Sequence, residues 1–256
     1  MLSAGLDIGA KTVKLVVLED GRPRGQMILP AGGDTAAAVE RAWAEAGVSP
    51  REVEHRAVTG MGAAGAGEGY ARVEAAAAAA RGVAALLPQA RTVIEVGAEE
   101  GRAVKLDHKG RVLDWVENER CAAGAGTFTE IVAQALEVSL EDLGRLSLEA
   151  GGKVAMNAQC VVFAESEMVG LLHAGTPPAD IARAVHQAMA ERVTALVRRL
   201  GLQEKVALIG GLARNQGFVQ ALGQSLACEL LIPERPRLTA ALGAALMAAP
   251  GESEPA

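Results

Sequence analysis

Two short segments of this chain combine residue types able to hold a phosphate. Leu6-Asp7-Ile8-Gly9-Ala10 and Ile94-Glu95-Val96-Gly97-Ala98 each run apolar, acid, apolar, Gly, Ala. An acid two residues before a glycine, at a tight strand-to-strand turn, sets a carboxylate beside exposed backbone N–H groups. The amides can cradle phosphate oxygens, and the carboxylate can hold Mg²⁺ directly or through water. Thr12 and Lys14 add a hydroxyl and a cation to the first hairpin. The alternative is a buried strand acid satisfied by its own turn, and the hairpin alone does not separate the two. There is no GxxxxGK[ST] P-loop. Gly60-Met61-Gly62-Ala63-Ala64-Gly65 matches GxGxxG, but the chain runs on as Ala66-Gly67-Glu68-Gly69 with no helix opening at the third glycine. We take it as a loop able to face phosphate rather than a dinucleotide-binding turn.

Cys121 and Cys160 each precede a helical pattern, where a thiolate is stabilised by the helix dipole and free N–H groups. The same groups can donate to the sulfurs of a negatively charged iron–sulfur cluster. Two such cysteines cannot complete a four-thiolate site, whereas a two-fold axis doubles them to four and implies a dimer. Against this stands the common role of an isolated cysteine as a small buried hydrophobe, and placement alone favours that role. Cys228, at an ordinary helix end, keeps it. The four histidines, His55, His108, His173 and His186, are scattered singly without metal-ligand spacing and are expected mostly at the surface.

The elements that must position these residues alternate between strand and helix, which gives an α/β class. Strands are expected at residues 4–8, 12–18 and 26–29, a helix from Asp34 or Thr35 to about 46, a strand at 56–59 and a helix at 72–87. The pattern then recurs, with strands at 92–96, 103–106 and 111–116. Two acid–Gly strand ends, each followed by a hairpin, argue for an internal duplication. The second half is mostly helical (126–137, 139–146, 160–173, 178–200 and 215–227), with strands at 205–209 and 229–232 and a closing helix at 239–248.

Composition narrows the function. Of 256 residues 50% are hydrophobic and only 2% aromatic, so a large core must be built from Ala, Val, Leu and Ile. A net charge of −6 argues against nucleic acid as a partner, because phosphate binding needs clustered Lys and Arg. No signal peptide and no run of apolar residues long enough to span a membrane is seen, so a cytoplasmic location is expected.

Together the motifs resemble a known family. Asn118-Glu119-Arg120-Cys121-Ala122-Ala123-Gly124-Ala125-Gly126, Cys160-Val161-Val162-Phe163-Ala164-Glu165-Ser166-Glu167, Gly210-Gly211-Leu212-Ala213-Arg214-Asn215, and Gly243 within Ala-Leu-Gly-Ala-Ala-Leu carry the likeness. They are similar to the ATP-dependent activators of 2-hydroxyacyl-CoA dehydratases and the related ATPase subunits of benzoyl-CoA reductase, within the actin, sugar kinase and Hsp70 superfamily. The resemblance runs nearly end to end. It implies a duplicated ribonuclease-H-like core with ATP in the cleft between the halves. Residues 1–90 plus a C-terminal helix (238–256) would form the first subdomain, and 91–237 the second, carrying the iron–sulfur ligands.

On this resemblance Asp7, Gly9, Thr12 and Lys14 fall on the first phosphate loop, and Glu95 and Gly97 on the second. Gly210, Gly211 and Asn215 fall on the adenosine-side turn, and Gly243 joins the nucleotide-binding set. Cys121 and Cys160 become ligands of one [4Fe–4S] cluster per dimer, with Gly124 and Gly126 between Cys121 and its helix. Two departures stand out. Ala10-Lys11 replaces Ser-Thr in loop one. Loop two is Glu95-Val-Gly-Ala-Glu-Glu where Asp-Ile-Gly-Gly-Gln-Asp is usual, which puts Glu99 near the phosphates. The implied function is ATP-driven delivery of one electron to an iron–sulfur dehydratase or reductase, with Mg²⁺ and ATP/ADP as cofactors and Asp7, Glu95 and Glu99 as catalytic acids. The dimer mate is a second copy or a homologous subunit, and ferredoxin or flavodoxin is the electron donor. The alternatives are a kinase-like phosphotransferase or a non-hydrolysing ATP-binding regulator on the same fold.

Overall fold

The computed structural model describes residues 1–118, 126–156 and 161–249. They group into two compact units: Met1–Val93 with Val104–Trp115 and the segment from Pro233, and Ile94–Ala103 with Val116–Ile232. No helix among the described residues is long and apolar enough to cross a membrane.

The first unit is built on a five-stranded sheet. Strands β1 (Leu2–Ile8), β2 (Thr12–Glu19) and β3 (Arg22–Pro30) form an antiparallel meander, and β4 (His55–Thr59) and β5 (Ala71–Arg72) add in parallel, giving the order β3-β2-β1-β4-β5. β1 and β2 are almost wholly buried, as their near-continuous apolar runs require. A register shift between Val17 and Leu18 lets β3 run longer than its expected core. Helix α1 (Thr35–Glu45) is capped by Asp34, whose Oδ1 accepts from Ala37 N at 3.0 Å. Helix α2 (Ala75–Leu86) starts three residues later than expected, because residues 71–72 pair with β4 and Glu74 caps the helix instead.

The second sheet repeats this plan. β6 (Thr92–Val96), β7 (Gly101–Leu106), β8 (Val112–Glu117), β9 (Val206–Gly210) and β10 (Leu230–Leu231) stand in the order β10-β9-β6-β7-β8. Hydrogen bonds Gly97 N to Glu100 O and Leu106 N to Arg91 O make β6 and β7 antiparallel; Asp107 N to Arg111 O and Asn118 N to Gly101 O do the same for β7 and β8. β9 and β10 are parallel. Numbered from its own first strand, each sheet has the order 3-2-1-4-5, so the repeat seen in two short motifs extends to the strand order. Helices α3 (Gly126–Ala135), α4 (Leu140–Leu148), α5 (Val161–His173), α6 (Pro178–Leu200) and α7 (Gln216–Leu226) complete the second half.

Helix α8 (Thr239–Ala248) returns to the first unit and packs on β1, β4 and α2. Glycines set how closely it sits. A Cβ at Gly5 would lie 2.1 Å from the Ala241 carbonyl oxygen, one at Gly82 2.0 Å from Thr239 O, and one at Gly243 1.8 Å from Ala78 O. These neighbours are backbone atoms and cannot swing away. A chain poor in aromatic residues here fills space by bringing backbones together. Gly243→Ala should therefore force α2 and α8 apart and cost about 3 kcal/mol, read as a fall in denaturation midpoint at unchanged m-value.

The core of the second unit is formed by Ile94, Val96, Phe128, Leu143, Met168, Ile181, Val185, Met189, Leu208, Phe218 and their neighbours. His186 lies within it at 0% exposure, contrary to the surface position expected for most histidines. It falls on the buried face of α6, three and four residues before Met189 and Ala190, and neither ring nitrogen has a hydrogen-bond partner among the described residues. Burial pushes its pKa down from 6.5 to about 4. Between those values the unfolded chain takes up a proton that the folded chain refuses, so stability falls as pH drops from 6.5 toward 4. The loss amounts to ~3 kcal/mol at about 1.36 kcal/mol per unit. His186→Met should flatten the fall in melting temperature over this pH range. An unchanged slope in the variant would assign the acid lability elsewhere.

Candidate functional site

Asp7 stands one residue before the C-terminal end of β1 and is 7% exposed. Antiparallel register sets Lys14 of β2 directly opposite it, and Lys14 Nζ reaches Asp7 Oδ2 at 2.6 Å. Gly9 closes the hairpin by donating to Thr12 O at 3.0 Å, and a Cβ on it would lie 3.6 Å from Lys14 Nζ. Ala10 and Lys11 are exposed at the tip, where Lys11 O accepts from Ala31 N. Acid, glycine and cation thus converge at one strand end.

The GxGxxG loop packs against this strand end. Gly60 takes φ +88°, and a Cβ there would lie 2.5 Å from Ile8 O and 2.7 Å from Asp7 Oδ1. Only glycine fits both the left-handed backbone and the close approach. Gly62 N then donates to Ile8 O at 2.9 Å. The role of Gly60 beside Asp7 is missed from sequence, because GxGxxG is a weak signal in a chain with 30 glycines.

The second hairpin is the counterpart, element by element. Glu95 takes the place of Asp7 and Arg102 that of Lys14; Arg102 Nη1 lies 2.8 Å from Glu95 Oε2, Nη2 2.7 Å from Glu100 Oε2 and 3.9 Å from Glu117. Gly97 N closes the turn on Glu100 O at 2.8 Å. Gly210, with φ +94°, covers the end of β6 as Gly60 covers the end of β1: a Cβ on it would lie 2.4 Å from Val96 O, and Gly211 N donates to that oxygen at 3.1 Å. Glu99 is half-buried in the same turn. Helix α3 is tied to this hairpin, since Gly126 N and Thr127 N donate to Gly97 O and Ala98 O at 2.8 and 2.9 Å.

Asn215 caps α7 through Oδ1, which accepts from Phe218 N at 3.0 Å, while its buried Nδ2 has no partner among the described residues. Gly243 belongs to the packing of α8 on α2. Cys121, Cys160 and Gly124 lie outside the described residues. No group of three or more His, Cys, Asp or Glu able to hold a metal occurs among the described residues. Cys228 is free and half-buried, and burial pushes its thiol pKa up, which suits an inert side chain.

A sheet of order 3-2-1-4-5 occurring twice, each with an acid, a glycine and a cation at its first strand end, is the two-domain fold shared by actin, sugar kinases and Hsp70. The chain belongs to the BadF/BadG/BcrA/BcrD ATPase family, which it matches over residues 4–248. It is similar to the 2-hydroxyisocaproyl-CoA dehydratase activator of Clostridioides difficile, 35% identical over 97% of this chain and 95% of the relative. A benzoyl-CoA reductase subunit of Thauera aromatica is 30% identical, over 97% of this chain and 93% of its own. The solved activator of the 2-hydroxyisocaproyl-CoA dehydratase from Clostridium difficile with bound ADPNP superposes with a TM-score of 0.90 at 34% identity, covering 97% and 94% of the two chains. The expected family and fold are borne out.

Proposed function

We propose that this chain is an ATP-hydrolysing, one-electron donor that activates a partner acyl-CoA dehydratase or a benzoyl-CoA-type reductase. The observation that carries the ATPase part is the hairpin of Asp7, Gly9 and Lys14, in a chain that belongs to an ATPase family and whose structural relative was solved with ADPNP. Asp7 suits Mg²⁺ because only its Oδ2 is engaged and no described residue donates to Oδ1. It would hold the ion there through a bound water, and the ion when bound neutralises charge on the phosphate oxygens. Lys14 binds a phosphate oxygen, and the Gly9 turn lets the backbone approach. In the same proposal Glu95 and Glu99 are the further acids, Ala10, Lys11 and Thr12 complete the first loop, Gly97, Gly210, Gly211 and Asn215 serve the nucleotide, and Gly243 holds the fold around it. Residues 1–90 with 238–256, and 91–237, are the two proposed subdomains.

The donor chemistry of Cys121 and Cys160 fits a [4Fe–4S] cluster, since thiolates are the ligands such clusters take. Each chain supplies two, so a second copy or a homologous subunit would complete the set. The cluster when bound supplies a one-electron carrier, refilled by a ferredoxin or flavodoxin. Support for coupling comes from α3: its first two N–H groups are held by carbonyls of the second hairpin, and in sequence it begins five residues after Cys121. Anaerobically purified protein should be brown, bleach with dithionite and hydrolyse MgATP. Colourless protein that hydrolyses MgATP would leave the ATPase and remove the electron transfer; transfer of the γ-phosphate to a sugar would favour the kinase reading.

A further inference from the structure

The first strand end holds one polar group that none of these roles uses. Thr59, the last residue of β4, is 1% exposed, and its Oγ1 is buried with no hydrogen-bond partner among the described residues. Parallel register sets it beside Asp7, so the two side chains share one face of the sheet. Asp7 gives Oδ2 to Lys14 and leaves Oδ1 unengaged by any described residue. A Cβ on Gly60, next in sequence, would lie 2.7 Å from that same Oδ1. An orphaned hydroxyl and a half-used carboxylate therefore stand on paired residues of neighbouring strands. A buried hydroxyl without a partner costs about 1–3 kcal/mol, so a fold has reason to dispense with it.

The internal repeat shows that this fold can. Gly60 corresponds to Gly210, since each has a positive φ and covers the residue that ends the first strand, Ile8 or Val96. Thr59 then corresponds to Ile209, which is apolar and fully buried. The same position in the same architecture is filled by a hydrocarbon in one half and by a hydroxyl in the other. Packing does not call for the hydroxyl.

We infer that Thr59 is a positioning residue of the ATPase site: its hydroxyl and Asp7 Oδ1 together hold one oxygen, that of the water that attacks the γ-phosphate or of a water on the metal. The inference rests on the ATPase reading above. In hydrolysis that water oxygen bonds to phosphorus, the bond from phosphorus to the bridging oxygen of ADP breaks, and the water's proton leaves to bulk solvent or to the phosphate formed. Thr59 itself neither gains nor loses a proton. It restricts where the oxygen sits, and orientation of this kind acts on the chemical step rather than on nucleotide affinity.

The test compares Thr59→Val and Thr59→Ser with wild type in steady-state MgATP hydrolysis, MgADP affinity by calorimetry, and melting temperature without nucleotide. Thr59→Val is expected to lower kcat about tenfold or more, with KM and MgADP affinity within about threefold, and with a melting temperature equal to or above that of wild type. Thr59→Ser should restore most of kcat, because it keeps the hydroxyl and loses only a methyl group. A Val variant that melts lower and loses rate in proportion has a structural hydroxyl, and the inference fails. A Val variant as fast as wild type overturns it too. Wild type that binds no MgADP and hydrolyses no MgATP would instead overturn the ATPase reading, and the Thr59 role with it.

Discussion

Cys121→Ser and Cys160→Ser chains, purified without oxygen, should hold no iron, whereas Cys228→Ser should hold as much as wild type. On the proposed assignment each chain contributes these two thiolates to a four-thiolate site, so losing one from each of two copies would leave two ligands of four. Serine is a poor substitute because its hydroxyl stays protonated where the cysteine is a thiolate. Cys228 is the control: it is half-buried, its thiol is pushed toward the protonated form, and it lies between the end of α7 and the start of β10. Iron per chain, measured alongside the absorbance lost on dithionite treatment, decides the outcome. Iron retained at wild-type level in both of the first two variants would refute the ligand assignment.

Asp7→Asn should reduce MgATP hydrolysis by roughly a hundredfold or more, the scale seen when a preorganised charge is removed from a phosphoryl- or acyl-transfer site. Asparagine keeps the shape and can still accept from Lys14, so the hairpin should survive. It lacks the negative charge that would hold Mg²⁺. The ion pair it replaces is mostly shielded from water, with side-chain exposures of 15% for Lys14 and 10% for Asp7, so a modest loss of stability is expected as well. Phosphate release and melting temperature measured on one preparation separate the two effects. Hydrolysis equal to wild type would move the metal role to another acid, with Glu95 the next to test.

Much of the fold is legible in the sequence because it depends on local patterns. β1 and β2 announce themselves as apolar runs broken by a glycine, and the repeated acid–Gly–hairpin motif foretells a second sheet. The strand order is then shown to repeat in full. What escapes the sequence depends on neighbours distant along the chain. Gly60 matters because Ile8 O and Asp7 Oδ1 leave no room for a Cβ. The pairing of Glu95 with Arg102 repeats that of Asp7 with Lys14 at the same spacing, and the two motifs laid side by side carry that signal. The burial of His186 is signalled too, by its place among the apolar residues of α6. The start of α2 differs from expectation because Ala71 and Arg72, suited to a helix by type, are drawn into pairing with β4.

The seat of α8 also bears on how the protein comes off the ribosome. The first sheet is synthesised early, but Val16 and Leu18 bury themselves against Leu238, Ala241 and Ala245, and Ala57 against Ala244. Those partners emerge only after the whole helical half has been made. Until then one side of the nascent sheet stays uncovered, while the later-made half already holds every described residue of its own core. Order of synthesis and order of completion are thus reversed: the amino-terminal unit waits, a surface for chaperones to cover, and closes when residues 239–248 arrive.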